Sequence, residues 1–368
     1  MNHDFQKLMQ RATQLTRTGE LQAATAAIQA ALSGTVQHPT AAPARRTEAD
    51  TGDVIEVAAR ELPEEPEAAQ PVPAGHEAPA RAPSSSGRFI AASHGNATAR
   101  RDFKLYIPPG AGDRPLPLIV MLHGCTQSPD DFAAGTAMNS LASAQGFYVL
   151  YPAQSLQANP QRCWNWFKHN HQARDRGEPA LLAGMTREVM AGYPIDSDRI
   201  YVAGLSAGGA MAAIMGDTYP DIFAALGVHS GLAAGSATDL PSALGAMKSG
   251  GNPARPRASA SAVPTIAFHG DADNTVHPAN ASQVVAANAA MADREEVDQL
   301  TSSRGRMATR RIHRAADGVV LAEHWLVHGA PHAWSGGSAA GSYTDPSGPD
   351  ASAEMLRFFL AHPRRPKH

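Results

Sequence analysis

Ser206 stands in Gly204-Leu205-Ser206-Ala207-Gly208, with a glycine two residues to either side. A serine hydroxyl is a weak nucleophile at neutral pH. It needs a base beside it and an acid to orient that base. Two pairs of candidates follow in the chain. "TIAFHGDADNTVHPAN" (265–280) offers Asp271 and Asp273, and "WLVHGAPHAWSGG" (325–337) offers His328 and His332. A Gly-x-Ser-x-Gly match is cheap in a chain with 32 glycines among 368 residues, so it gains weight only from its surroundings.

Those surroundings are a strand and a helix. "RIYVAG" (199–204) reads as a short buried strand and "AGGAMAAIMGDTY" (207–219) as a helix, which leaves Ser206 on the turn between them. A nucleophile on a strand–turn–helix corner is the context that makes the motif meaningful. Glycines at 204 and 208 remove side chains that would collide across so tight a turn. In that arrangement the acid and then the histidine follow the serine in chain order. Asp273 is the expected acid, because it lies further past its strand; Asp271 is the runner-up. His332 follows Gly329-Ala330-Pro331, a loop signal, whereas His328 continues the preceding strand. The oxyanion donors are expected to be the backbone N–H groups of Ala207 and of Cys125, the latter in "MLHGCTQSP" (121–129). His123 is expected to brace that loop rather than to react.

Elements able to hold these groups recur along 88–363. "PLIVMLHG" (117–124), "FYVLYP" (147–152), "AALGVHSG" (224–231) and "PTIAFHG" (264–270) are short apolar runs suited to strands buried on both faces of a parallel sheet. "DFKLYIP" (102–108) alternates like an exposed strand. Helices are expected over 132–145, 178–193, 207–219, 280–293 and 353–362. Strand–helix alternation implies a three-layer α/β architecture with right-handed crossovers.

The rest of the chain differs. Residues 3–33 carry apolar residues at three- and four-residue spacing on both sides of Thr18-Gly19, which predicts two short amphipathic helices. "TGELQAATAAIQAAL" looks like part of a tetratricopeptide-type unit, and a lone unit needs a partner surface to cover its apolar face; the other reading is a solvated, partly formed helix. Residues 34–87 are rich in Pro, Ala and Glu and read as a disordered tether. The net charge of -3 gives no basic field, so nucleic acid is not an expected partner. No apolar run approaches the roughly 20 residues of a membrane span. The N-terminal residues lack the apolar core of a secretory signal, which predicts a cytoplasmic protein. There Cys125 and Cys163 would stay reduced; in an oxidising compartment they could pair and pin the oxyanion loop.

The series "LHGCTQSPDDFA" (122–133), "YPAQ" (151–154), "NPQRCWNWF" (159–167), "RIYVAGLSAGGAM" (199–211), "FHGDADNTVHPAN" (268–280) and "HAWSGG" (332–337) resembles the esterase family that includes polyhydroxybutyrate depolymerases, with feruloyl and acetylxylan esterases as relatives. The resemblance covers about 90–363. It implies an α/β-hydrolase fold, a Ser206–His332–Asp273 triad and no metal or organic cofactor. It also sets Trp164 and Trp166 near the cleft, as an acyl-chain wall or as core packing, with Trp334 as a second wall candidate. The implied substrate is poly(3-hydroxybutyrate) or its oligomers. The alternatives are plant-polysaccharide esters and, in another class, a granule-surface scaffold with a vestigial hydrolase domain. Residues 3–33 could dock such a protein on a granule. The resemblance further implies that secreted relatives attacking crystalline polymer typically carry a separate surface-binding domain after the catalytic one. With the sequence stopping soon after its expected closing helix, strong action on crystalline polymer is not expected, which is compatible with intracellular amorphous granules, soluble oligomers or small esters.

Overall fold

The computed structural model describes residues 86–95, 100–251 and 263–364. The chain divides into two units, Met1–Glu77 and Ala78–His368, and the described residues all belong to the second. The helices expected over 3–33 lie outside the described residues, as does the tether over 34–87 apart from Ser86 and Gly87.

The strands of the main sheet are β1 (Arg88–His94), β2 (Arg101–Ile107), β3 (Leu116–Leu122), β4 (Tyr148–Pro152), β5 (Ile195–Leu205), β6 (Ala225–His229), β7 (Thr265–Gly270), β8 (Arg294–Thr301), β9 (Met307–Arg314) and β10 (Val320–Val327). They form one sheet in the order β1-β2-β4-β3-β5-β6-β7-β10-β9-β8. From β4 to β10 every neighbouring pair is parallel; the two flanks are antiparallel. The central strands are apolar on both faces because helices cover both. In β3, Leu118, Val120 and Leu122 face one side and Ile119 and Met121 the other, as a two-residue period requires.

The helices are α1 (Pro129–Thr136), α2 (Met138–Gln145), α3 (Gly177–Gly192), α4 (Ala207–Thr218), α5 (Leu240–Ser249), α6 (Ala279–Ala289) and α7 (Ala351–Leu360). Leu182 and Met185 of α3, Met211 of α4 and Ala243 of α5 join the core on one face. Phe132 of α1, Met138 of α2 and Met355, Phe358 and Phe359 of α7 join it on the other.

Two expectations are corrected, and one pair of strands had no counterpart in the sequence reading. The single helix over 132–145 is two, because Ala137 takes a left-handed conformation (φ 52°) between α1 and α2. β2 is not exposed: β1 pairs along its free side, and Leu105, Tyr106 and Ile107 are buried. The outer pair β8–β9 went unrecognised because its sequence is charged. Its alternation is held by cross-strand ion pairs, Asp298–Arg310 and Glu295–Arg311 at 2.6 Å and Glu296–Arg314 at 3.0 Å. A tight turn over 315–319, closed by Ala315 N–H to Val319 O at 2.9 Å, leads from β9 into β10.

Candidate active site

The catalytic candidates gather at the C-terminal ends of the parallel strands. Ser206 immediately follows β5 and precedes α4. Its backbone has a positive φ (57°, with ψ -119°), a conformation that costs free energy and survives only where surroundings enforce it. Those surroundings are close backbone contacts. A β-carbon at Gly208 would sit 2.0 Å from Leu122 O, and one at Gly204 would sit 2.4 Å from the Gly208 carbonyl carbon. Both glycines are therefore required by space, and Ser206 is pushed outward to half-exposure.

Asp273 lies in the loop after β7 and His332 in the loop after β10. His332 Nδ1 is 2.7 Å from Asp273 Oδ2. The other carboxylate oxygen accepts the N–H groups of Thr275 at 2.8 Å and Val276 at 2.9 Å. His269 Nε2 lies 3.3 Å from Oδ2 and bonds Val276 O at 2.8 Å. Burial works against the charge of Asp273, but the hydrogen bonds from His269 and His332 outweigh it and hold the carboxyl far below the ordinary range. An ionised carboxylate keeps the imidazole hydrogen on Nδ1 and leaves Nε2 free to take a proton.

Asp271, the runner-up, has a histidine of its own. Its Oδ2 is 2.8 Å from His328 Nδ1, and its Oδ1 accepts the Gly329 N–H at 2.6 Å. His328 Nε2 is committed to Thr309 Oγ1 at 2.8 Å, away from the elbow serine. His328 sits one residue beyond β10 rather than within it.

The loop after β3 approaches the serine. A β-carbon built on Gly124 would lie 3.6 Å from Ser206 Cβ. In this loop the N–H groups of Gly124, Thr126 and Gln127 go to Gln127 Oε1, Gln161 O and Gly124 O. Among the described residues the Cys125 N–H has no protein acceptor. Ala207 is the first residue of α4, so its N–H has no intrahelical acceptor either. His123 braces the loop: Nδ1–H donates to Gly124 O at 2.7 Å and Nε2 accepts the Gln154 N–H at 3.1 Å. Burial pushes its pKa down to about 4, so the ring is neutral.

A strap over 154–171 packs behind this loop. Cys163 forms a disulfide with Cys125. Buried Glu178, at the start of α3, anchors the strap by accepting from Gln154 Nε2 at 2.6 Å and from Asn165 N and Nδ2 at 2.7 Å. Burial would raise its pKa, yet its hydrogen bonds, with His171 first among them, hold it below the ordinary value.

The tryptophans are placed differently from the expected acyl wall. Trp164 is fully buried and donates Nε1–H to His123 O at 3.0 Å. Trp166 packs in the same core, edge-on to Phe167. Trp334 is buried, donates Nε1–H to Ser352 Oγ at 3.0 Å and stacks on His229. All three support the loops rather than present a face. The exposed aromatic beside the loop after β3 is Tyr343, whose hydroxyl is 3.3 Å from Thr126 Oγ1. Sequence reasoning missed His229, His269 and Glu178; for the two histidines the available signal was a polar residue at the end of an apolar run, and Glu178, at the start of a helix after a charged stretch, offered none.

The family model described as "Esterase PHB depolymerase" matches residues 101–312, more than half of the chain. The chain belongs to this esterase family. Poly(3-hydroxyalkanoate) depolymerase C of Paucimonas lemoignei is 33% identical over 227 residues, covering 59% of this chain and 54% of that protein. Feruloyl esterase B of Thermothelomyces thermophilus is 34% identical over 140 residues, 38% of this chain and 47% of that protein. This esterase-family chain thus spans about half the length of these curated relatives. The solved acetyl xylan esterase from Aspergillus awamori superposes with a TM-score of 0.55 at 19% identity, covering 74% of this chain and 99% of that one. The fold is that of the α/β-hydrolases, as the sequence resemblance implied.

Proposed function

We propose that this chain is a serine esterase acting on poly(3-hydroxybutyrate) or related polyesters and their oligomers. The observation that carries the reading is the His332–Asp273 pair, 2.7 Å long, at the same sheet edge as the strained serine elbow. Ser206 Oγ attacks the ester carbonyl while His332 Nε2 takes its proton. Asp273 orients the imidazole and stabilises its charged form. The N–H groups of Ala207 and Cys125 hold the oxyanion. His332 then returns the proton to the departing alcohol, and a water activated by the same ring frees the acyl-enzyme.

The polyester substrate class is supported by the family match and by the depolymerase relative. Feruloyl- or acetylxylan-type esters are the second reading, favoured by the other relative and by exposed Tyr343 beside the oxyanion loop. The vestigial-scaffold reading is disfavoured by the ordered Asp273–His332 pair. The disulfide supports an oxidising compartment, against the cytoplasmic address suggested by the N-terminal residues. Docking on a granule through residues 3–33 belongs to the same proposal: removing residues 1–86 would lower granule binding and spare soluble-ester turnover.

The deciding experiment is hydrolysis of amorphous polyhydroxybutyrate granules, hydroxybutyrate oligomers and methyl ferulate by wild type and Ser206→Ala. The expected result is preference for the hydroxybutyrate substrates and loss of all three activities in the folded variant. Wild-type turnover by Ser206→Ala would overturn the serine mechanism; preference for methyl ferulate would replace the substrate.

A further inference from the structure

His229 is the last residue of β6 and is 1% exposed. Its carbonyl accepts the Ser206 N–H at 2.8 Å, which ties it to the elbow backbone. Its ring Nε2 accepts the Ser335 N–H at 2.9 Å, three residues past His332. One residue therefore holds the nucleophile's backbone through its main chain and the histidine loop through its side chain.

The ring is built to stay there. It lies between Phe268, at 5.7 Å and 13°, and Trp334, at 5.1 Å and 27°. Phe268 in turn stacks on Trp325 at 5.0 Å, and the Arg310 guanidinium sits 5.2 Å from the Trp325 ring. These side chains follow the registers of β6, β7, β10 and β9, so the stack crosses four strands. Because Nε2 accepts an N–H, the ring hydrogen must be on Nδ1, which is 3.2 Å from Ser230 Oγ. Burial keeps the ring neutral, and the neighbouring His269 and His332 reinforce this against Asp273. A protonated ring would meet the Ser335 N–H with a second donor.

Resting on the esterase reading above, we infer that His229 is a positioning residue that sets the separation of Ser206 from His332. Its ring is buried and acts through the Ser335 N–H that it holds. Its work is to fix the 332–335 segment against the strand that also holds the elbow. Misplacement of a base by about 1 Å costs on the order of 100-fold in rate.

Two substitutions separate positioning from packing. His229→Phe keeps a flat ring in the stack but offers Ser335 no acceptor. His229→Gln loses the ring but can bring an amide oxygen to the position of Nε2. Hydrolysis of p-nitrophenyl butyrate and Tm would be measured for both, with Ser206→Ala in parallel. The Phe variant is expected to lose about 10- to 100-fold in kcat, with KM within about threefold of wild type. The Gln variant is expected to keep kcat within about threefold despite a lower Tm. Wild-type kcat in His229→Phe, or kcat falling with Tm in both variants, overturns the inference. Should the Phe variant not fold, a folded Gln variant slowed by about tenfold or more overturns it as well. Activity retained by Ser206→Ala would instead overturn the esterase reading on which the inference rests.

Discussion

Asp271 Oδ2 lies 2.8 Å from His328 Nδ1, so a second carboxylate–imidazole pair stands beside that of Asp273 and His332. The two pairs differ in what the far ring nitrogen meets. That of His328 is spent on Thr309 in β9. Asp271 also caps the Gly329 N–H, so its role is to tie the start of the histidine loop to the turn after β7.

The pairs are separable by substitution. Asp273→Asn should reduce kcat by about 10⁴-fold, because the amide no longer enforces the required tautomer of His332. Asp271→Asn should change kcat by less than about tenfold and act chiefly on Tm. Steady-state kinetics and thermal melts of both variants check this, and the reverse ranking would move the acid to Asp271.

The elbow glycines are a matter of space. Gly208→Ala should destabilise the protein by about 3 kcal/mol, since the added methyl meets two backbone oxygens, Leu122 O at 2.0 Å and His123 O at 2.5 Å. Gly245, inside α5, has nothing within 4 Å of an added β-carbon, and Gly245→Ala should stabilise by about 0.5–1 kcal/mol. Urea denaturation of the pair gives opposite signs if the elbow is tight and the helix position open.

How much of this was legible follows from what each signal depends on. The central strands and the elbow were readable because burial on both faces forces continuous apolar runs, and chain order pointed to Asp273 and His332, which lie 2.7 Å apart. β8 and β9 were not, since their pairing is carried by Arg–carboxylate contacts between segments that look like solvated loop when read singly. The tryptophans misled for a related reason: Trp164 and Trp166 do share a region near the cleft loops, but which way each ring points is decided by His123 and the core. His229 could not be found from its type, because a histidine ending a buried strand gains meaning only when Ser206 and Ser335 are seen on either side of it.

The disulfide should matter to both stability and rate. It closes a loop of 38 residues, and removing it by Cys163→Ser should cost about 4 kcal/mol in the loop-entropy picture. Turnover should fall too, because Cys125 carries an oxyanion N–H in the proposed mechanism and would lose its tie to the strap. Dithiothreitol should lower the Tm and kcat of wild type and leave the variant unchanged; an equal response of both would remove the bridge from the account.

Acid should weaken the fold in a defined window. His123 has a pKa of about 4 when folded, because of burial, against 6.5 when unfolded. Between these values the unfolded chain binds the proton and the native one does not. Stability from this residue is therefore full above about 6.5 and declines toward pH 4, by about 3 kcal/mol in all. His123→Gln can still accept the Gln154 N–H but does not titrate, so its unfolding free energy should fall less between pH 7 and 4.5. His324 and His229 shift in the same direction in both proteins, so the difference between the two slopes reports His123.

The turn over 315–319 has a practical consequence. β10 runs parallel to β7, and through β6 to β5, so the start of β10 lies at the sheet edge opposite the one where β5 delivers its serine. Ala316 and Asp317 are exposed there, about 25 Å along the strand direction from the reactive rim. A bead, a dye or a fused reporter attached at that corner would leave the opposite end unobstructed, which makes it the natural handle for immobilising the enzyme.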